Sequence, residues 1–344
     1  MVFFFAFMRS HSNTQILQDV VIASGCSGAL DLAICALLNA GDTLLVPKPG
    51  FPLYTTLCES RGIRVLQYRL DHLRDWEVDI EHVREVAALG KAGGATCVLL
   101  LNNPSNPCGS VWREEHLRDI MRLAEEIRTP VIADEIYWNL AFPRLGRHAL
   151  PAASATSTVP VLTVGGIAKE FMVPGWRLGW VACHDRGGAL ASVWNGLIAL
   201  TALVLGANTL VQSTLQGLLC PPPSSPASEM LQKYKAGVLS KLQEHADFTL
   251  ERLQRIPGIR VINPQGAMYC MFQVPSGRRG ASNPEERDDV AFTRDLLAEE
   301  NVFLLPGSAF SAPGFCRVVI TPPIDKLAEA FKRIHEFVSR NYAN

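Results

Sequence analysis

Short apolar runs alternate with stretches of helical period along the first two thirds of the chain. "VVIASG" is predicted as a strand, "SGALDLAICALLNAG" as a helix closed by Gly41, and "DTLLVP" as the next strand. A helix around "LYTTLCESRG", a strand "IRVLQYRL" and a helix "DIEHVREVAAL" follow. "ATCVLLLNNP" is a strongly apolar strand, and "REEHLRDIMRLAEEIR" is a charged amphipathic helix. "PVIADEIY", "VPVLTVGG" and "RLGWVACH" complete this series of strands. Such alternation predicts an α/β fold, a mostly parallel sheet covered by helices on both faces, with ligands gathered beyond the strand carboxyl ends.

The pattern then changes. "SEMLQKYKAGVLSKLQEHADFTLERLQRI" reads as one long helix. Strands "IRVINP", "GAMYCMFQV", "VFLLP" and "CRVVIT" follow, with helices "DVAFTRDLLAEE" and "IDKLAEAFKRIHEFVSRNY", which is an α+β arrangement. The predicted organisation is an atypical leader over 1–18, a large α/β domain over 19–225, and the long helix with a smaller α+β domain over 226–344.

The stretch from Gly187 to Ser228 contains no Asp, Glu, Lys or Arg. Asn195, Asn208, Gln212 and Gln216 interrupt it, and its strongly apolar part is shorter than the ~20 residues of a membrane span. It is predicted as a buried or subunit-facing helix. The leader "MVFFFAFMRSHS" has an apolar run of Val2 to Met8 without a basic start or a small-residue cleavage site, so it matches a signal peptide poorly.

Composition adds exclusions. Of 344 residues, 48% are hydrophobic and 19% charged, and the net charge is −1, which fits a globular chain. There is no lysine or arginine block of the kind that marks a nucleic-acid or anionic-membrane surface. Nine cysteines, an odd count without a CxxC pair, argue against a disulfide framework and against a zinc site. A reducing, cytoplasmic location is the simpler reading.

Chemistry concentrates where the strands end. "SGCSGAL" is a glycine-containing turn leading into a helix, and its N–H groups with the Ser27 hydroxyl suit a phosphate, although a tight turn alone explains it too. "NNPSNPCG" reads as turn chemistry or as a source of a side-chain amide. In "VIADEIY", Asp134 and Glu135 end an apolar strand, where a carboxylate needs a cation or a protonated nitrogen, unless Asp134 caps the next helix. In "GGIAKEFMVPGWRLGW", Lys169 sits among glycines and apolar residues with Arg177 beyond it. A lysine against apolar walls becomes a nucleophile toward carbonyls, and pairing with Asp134 or Glu135 is the structural alternative. Together, a phosphate cradle, a buried carboxylate, an asparagine donor and an imine-forming lysine match the needs of pyridoxal phosphate.

At these residues the chain resembles the fold-type I pyridoxal-phosphate aminotransferases, and most the tyrosine-specific branch. "SGCSGALDL", "VPKPGFPLY", "NNPSNPCGSV", "ADEIY", "GGIAKEFMVPGWRLGW", "GAMY" and "RVVIT" carry the likeness in family order from Asp19 onward. The resemblance implies a seven-stranded, mostly parallel large domain with a smaller α+β domain. It implies ping-pong transamination between an aromatic amino acid and a 2-oxo acid such as 2-oxoglutarate. Lys169 would form the imine and shuttle the proton between Cα and the cofactor. Asp134 would hold the pyridinium proton, Tyr137 and Asn106 would hydrogen-bond the ring oxygen, and Phe51 would stack on the ring. Gly25, Cys26, Ser27 and Arg177 would hold the phosphate. Arg317, with Asn106, would take the substrate α-carboxylate.

Many relatives have a serine three positions before the lysine. Here that position is Gly166, which shifts phosphate binding toward Ser27 and Arg177. The resemblance also implies a homodimer, and an N-terminal segment that "MVFFFAFMRS" does not match, so the chain is expected to start near the beginning of the large domain. Alanine-type transamination, β-elimination at a carbon–sulfur bond and a shortened non-catalytic homologue are the alternative readings.

Overall fold

Twelve strands form two sheets in the computed structural model, which describes residues 20–156, 158–203, 205–279 and 287–342. The expected leader over 1–18 lies outside the described residues. The strands are β1 (Val20–Ser24), β2 (Thr43–Lys48), β3 (Arg64–Asp71), β4 (Glu77–Val78), β5 (Cys97–Asn102), β6 (Val131–Asp134), β7 (Val161–Gly166), β8 (Leu178–His184), β9 (Arg260–Val261), β10 (Tyr269–Gln273), β11 (Leu305–Pro306) and β12 (Phe315–Val319). The large sheet has the order β1-β8-β7-β6-β5-β2-β3-β4. From β3 through β2, β5 and β6 to β7 every pairing is parallel, while β8 runs antiparallel between β7 and β1. The expected seven strands are present, and the two-residue β4 adds an eighth on the β3 edge.

Period-two alternation explains how one strand serves two cores. Every residue of β5 is buried. Leu99 and Leu101 face Val83, Val86, Ile120 and Met121 of the helices Ile80–Gly90 and Glu114–Glu126. Val98 and Leu100 face Ala29, Leu30, Ala33 and Ile34 of the helix Gly25–Leu37 on the other side. Each such side chain contributes about 1.5–3 kcal/mol through burial. The central strands are therefore stiff supports for whatever their carboxyl ends carry.

The small sheet is antiparallel, in the order β11-β12-β10-β9. It packs with the helices Pro226–Gln254, Asp289–Glu300 and Ile324–Asn341 around Phe272, Phe292, Phe331 and Phe337. Tyr137, Leu140 and Phe142, from the segment after β6, enter this same core. The chain just beyond one large-sheet strand end is thus pinned by the small sheet.

Two expectations need correction. "IRVINP" and "VFLLP" pair over only two residues each, as β9 and β11. Pro264 and Pro306 lack the N–H a longer ladder requires, and Val302 and Leu304 bury themselves against helices instead. The uncharged stretch is two helices, Ala191–Leu203 and Thr209–Leu219, the second capped by Asn208, whose side chain accepts the Leu210 N–H at 2.8 Å. Within this chain it is not buried. Leu197, Leu215 and Leu219 are covered, but Leu203, Leu205 and Leu210 are 79%, 86% and 77% exposed. Its polar residues carry no charge and mark no clear solvent face, so burial within the chain cannot be read from its period, and the subunit-facing part of the expectation is left standing. Among the described residues, no helix is long and apolar enough to cross a membrane.

Candidate active site

Three features meet at the start of the helix Gly25–Leu37. Gly25 has φ +70°. A Cβ on it would lie 2.3 Å from Nη2 of Arg177, and a Cβ on Gly179 would lie 2.4 Å from the Gly25 carbonyl carbon. Both positions therefore exclude a side chain, which brings the guanidinium and β8 onto the turn. Ser24 makes no side-chain cap and the first turn carries no acid, so the leading N–H groups at Cys26 and Ser27 keep their positive field. Arg177 is solvent-exposed and anchored by Nη1 to the Pro174 carbonyl at 3.0 Å and by Nη2 to that of Ser24 at 3.1 Å. With the exposed Ser27 hydroxyl, these groups could hold a dianion such as phosphate. Gly166 takes no part, because a Cβ there would fall 2.7 Å from the Leu178 carbonyl oxygen, which accounts for glycine in place of serine.

Asp134 ends β6 and is 3% exposed. Its carboxylate accepts the Tyr54 hydroxyl at 2.7 Å, the Ile136 N–H at 3.3 Å and the Cys26 thiol at 3.6 Å. Burial raises its pKa, and these three donors and the Lys169 charge only partly offset that. Burial, then the Asp134 charge, pushes the Cys26 thiol well above its usual range. The Ile136 contact is a local turn, and the next helical turn, Trp138–Leu140, is capped by Tyr137 without a side-chain bond. Asp134 is thus no helix cap.

Lys169 lies in the turn after β7 and is half-buried. Its Nζ is 5.6 Å from the centre of the Tyr137 ring and acts on Asp134 as a through-space positive charge. The ion pair beside it belongs to Glu170, which binds Lys235 at 2.8 Å and Asn139 at 2.9 Å. Half-buried Phe51 stands edge-on to Tyr54, with centroids 5.7 Å apart at 88°.

The asparagine loop divides its labour. Asn102 donates to the Asp134 carbonyl at 3.1 Å and accepts the Asn106 N–H at 2.7 Å, and Asn103 accepts the Trp112 N–H at 3.0 Å. Those two do turn chemistry. Asn106 instead accepts Nη1 of Arg317 at 2.8 Å. Arg317 lies between the Tyr269 ring, 4.4 Å from its guanidinium carbon, and the Phe310 ring at 4.5 Å. Its Nε is buried with no hydrogen-bond partner. Tyr137 and Tyr269 share a hydroxyl–hydroxyl bond of 2.7 Å.

All the expected site residues thus lie on the carboxyl-end face, in two linked groups. One is Asp134, Cys26, Ser27, Gly25, Arg177, Phe51 and Lys169; the other is Tyr137, Asn106 and Arg317. Three further residues belong with them and were not anticipated: Tyr54, Tyr269 and Phe310. The first two close the motifs "PGFPLY" and "GAMY", which was the available signal. The arrangement offers an anion site, a buried acceptor for a protonated nitrogen, a free amine and a carboxylate-binding guanidinium.

Glu135 points elsewhere. It accepts the Ala152 N–H at 2.7 Å, and burial pushes its carboxyl up from 4.5 to about 8. A carboxyl with its folded pKa above its unfolded value keeps its proton in the fold and loses it on unfolding. Stability must then fall as pH rises between about 5 and 8. Over that window Glu135 removes on the order of 4 kcal/mol. Glu135→Gln keeps the acceptor and cannot ionise, so urea unfolding at pH 5 and pH 8 should show a clearly smaller loss in the variant. Equal losses in both proteins would contradict this assignment.

The family "Aminotransferase class I and II" matches residues 3–334. A tyrosine aminotransferase of Dictyostelium discoideum is 43% identical over 323 residues, covering 93% of this chain and 73% of that protein. Among solved structures, the tyrosine aminotransferase of Leishmania infantum superposes with a TM-score of 0.87 at 30% identity, covering 99% of this chain and 81% of that one. An alanine aminotransferase from Pyrococcus furiosus gives 0.88, also at 30% identity, over the same shares.

Proposed function

The chain belongs to the class I and II aminotransferases, and from that premise we propose that it moves the amino group of an aromatic amino acid to a 2-oxo acid with pyridoxal phosphate as cofactor. The residues present fit that group. A buried carboxylate takes its hydrogen bonds only from neutral donors, with Lys169 acting on it through space, an uncapped helix start lies under a guanidinium, and an arginine Nε is buried without a partner among the described residues. Each lacks the direct charged contact such a ligand would provide. When bound, the cofactor supplies an aldehyde that condenses with an amine and a protonated ring that accepts the electron pair released at Cα.

The chain's own groups do the rest. Lys169 Nζ would anchor the cofactor and carry the Cα proton. Asp134 holds the proton on the ring nitrogen, and Tyr54 and Cys26 hold Asp134. Gly25, Cys26 and Ser27 at the helix start, with the Arg177 fork, bind the phosphate. The Tyr137 hydroxyl and the Asn106 amide would hydrogen-bond the ring oxygen, and Phe51 would pack on the ring. Arg317 takes the α-carboxylate of amino acid and oxo acid in turn, which lets one site serve both half-reactions. We also read the exposed apolar surface of the helices Ala191–Leu203 and Thr209–Leu219 as the contact with a second copy, and the protein as cytoplasmic.

The observation that carries this reading is the buried Asp134 carboxylate at a strand end, within the field of Lys169, which makes no direct ion pair among the described residues. Adding pyridoxal phosphate should give a protein-bound visible absorbance band, and tyrosine with 2-oxoglutarate should yield glutamate at about 1–10³ s⁻¹. Absence of the band would overturn the cofactor assignment. The likeness to an alanine aminotransferase makes a small aliphatic amino acid the second reading, and a higher kcat/KM for alanine than for tyrosine would favour it.

A further inference from the structure

Arg317 and Tyr269 are brought together by sheet register. Arg317 on β12 faces Met271 on β10, so Tyr269, two residues earlier on β10, projects on the same face as a diagonal neighbour. Its ring covers one side of the guanidinium at 4.4 Å while Phe310 covers the other at 4.5 Å. With the two rings packed against the guanidinium and Nη1 engaged by Asn106, the edge left for a carboxylate to pair with in plane is the one that includes the unpartnered Nε. The ring of Tyr269 thereby sets the orientation in which the fork meets its ligand.

The hydroxyl of the same residue does something different. In the 2.7 Å bond between Tyr269 and Tyr137 one phenol donates and the other accepts. Both phenols are buried, so neither hydroxyl is fixed by bulk solvent. If Tyr269 donates, the proton of Tyr137 is left to point away from Tyr269, toward the site. Tyr137 lies beyond the end of β6 in the large sheet and Tyr269 in the small sheet, so this bond spans the two.

We propose that Tyr269 is a positioning residue that links the two ends of the site. Its ring holds the Arg317 fork in plane for the substrate carboxylate, and its hydroxyl aims the Tyr137 proton at the ring oxygen of the cofactor. The inference rests on the cofactor reading above. A hydrogen bond donated to an ionised oxygen stabilises the ionised form, and a phenol that itself accepts a bond is the better donor. Tyr269 therefore favours the ionised ring oxygen without touching it.

Two substitutions separate the ring from the hydroxyl. In Tyr269→Phe the ring stays over Arg317. The pH midpoint of the bound cofactor's visible absorbance should move upward by about 0.4–1 unit, the value of one hydrogen bond. The Kd of 3-phenylpropionate, an unreactive carboxylate, should change less than about twofold. In Tyr269→Leu the midpoint should shift similarly and the Kd should rise about three- to tenfold as the covering ring is lost. A Tyr269→Phe midpoint superimposed on that of the unsubstituted protein would overturn the inference, as would equal Kd values in the two variants. The phenylalanine variant, nearly isosteric, carries the test if the leucine protein is unstable. Failure of the unsubstituted protein to develop a band at all would overturn the cofactor reading and this inference with it, whereas a normal band that Tyr269→Phe leaves unmoved sinks the inference alone.

Discussion

Replacing Lys169 with alanine should lower kcat for transamination by at least ~10⁴-fold, the upper range for a single positioned proton-transfer group. The effect is this large because one amine has two tasks, anchoring the cofactor and moving the Cα proton, and no second lysine stands at the β7 turn to take over either. Pyridoxal phosphate should still bind Lys169→Ala through the helix start, Arg177 and Asp134, but dialysis should remove it easily. The fold should survive, since Lys169 is half-buried and its neighbour Glu170 makes the ion pair in that turn. Steady-state rates, cofactor retention after dialysis and unfolding curves check the three parts. Residual turnover above about one hundredth of the parent value would contradict the role.

Asp134→Asn should produce the second largest loss. Removing one partner of a buried charge pair costs about 3–5 kcal/mol, so kcat should fall ~10²–10⁴-fold if Asp134 holds the ring nitrogen's proton. Stability of the cofactor-free protein should move the other way. Burial raises the Asp134 pKa above its ordinary 3.8, so its folded carboxylate holds a proton more tightly than the unfolded one. Its contribution to stability therefore falls as pH rises above that value, and at pH 7 ionisation in the fold is a cost. Asparagine cannot ionise and still accepts the Tyr54 hydroxyl, so the cofactor-free variant should be as stable as the parent at pH 7, or more so. A carboxylate kept for structure alone would give the opposite pair of results: retained activity and lost stability. Urea midpoints without cofactor, set beside kcat with it, distinguish the two.

How much of this was legible along the chain depended on distance. Lys169, Asp134 and Arg177 stand out because each is a charged side chain set at the end or just before the start of an apolar strand, where it has no ordinary reason to be. The turn at Gly25 and the helix after it were likewise readable from a strand, a glycine and an amphipathic run. Tyr54 and Tyr269 were not readable as partners. Their bonds reach across 80 and 132 residues, to Asp134 and Tyr137, and only the strand order and the docking of the small sheet create them. Phe310 is hidden for a similar reason, lying on a short helical turn, Gly307–Phe310, that meets Arg317 through β12.

Elsewhere the pattern itself was ambiguous. The asparagine loop by itself favoured turn chemistry over a functional amide, and the fold uses Asn102 and Asn103 for the first and Asn106 for a bond to Arg317. The uncharged run after Gly187 mixes apolar and uncharged polar residues without a charged face to mark its solvent side, and most of it does not face the core. For β9 and β11 the apolar composition was right and the expected pairing too long; in β11 the terminal Pro306 acts on the backbone and leaves hydrophobicity unchanged.

Borohydride reduction of the pyridoxal-phosphate-loaded protein, followed by peptide mass analysis, tests the central assignment most directly. A single phosphopyridoxyl group should appear on the peptide containing Lys169, with none on the peptide containing Lys235, and Lys169→Ala should carry no label. Label on another lysine, or an unlabelled Lys169 peptide from protein that shows the visible band, would contradict it.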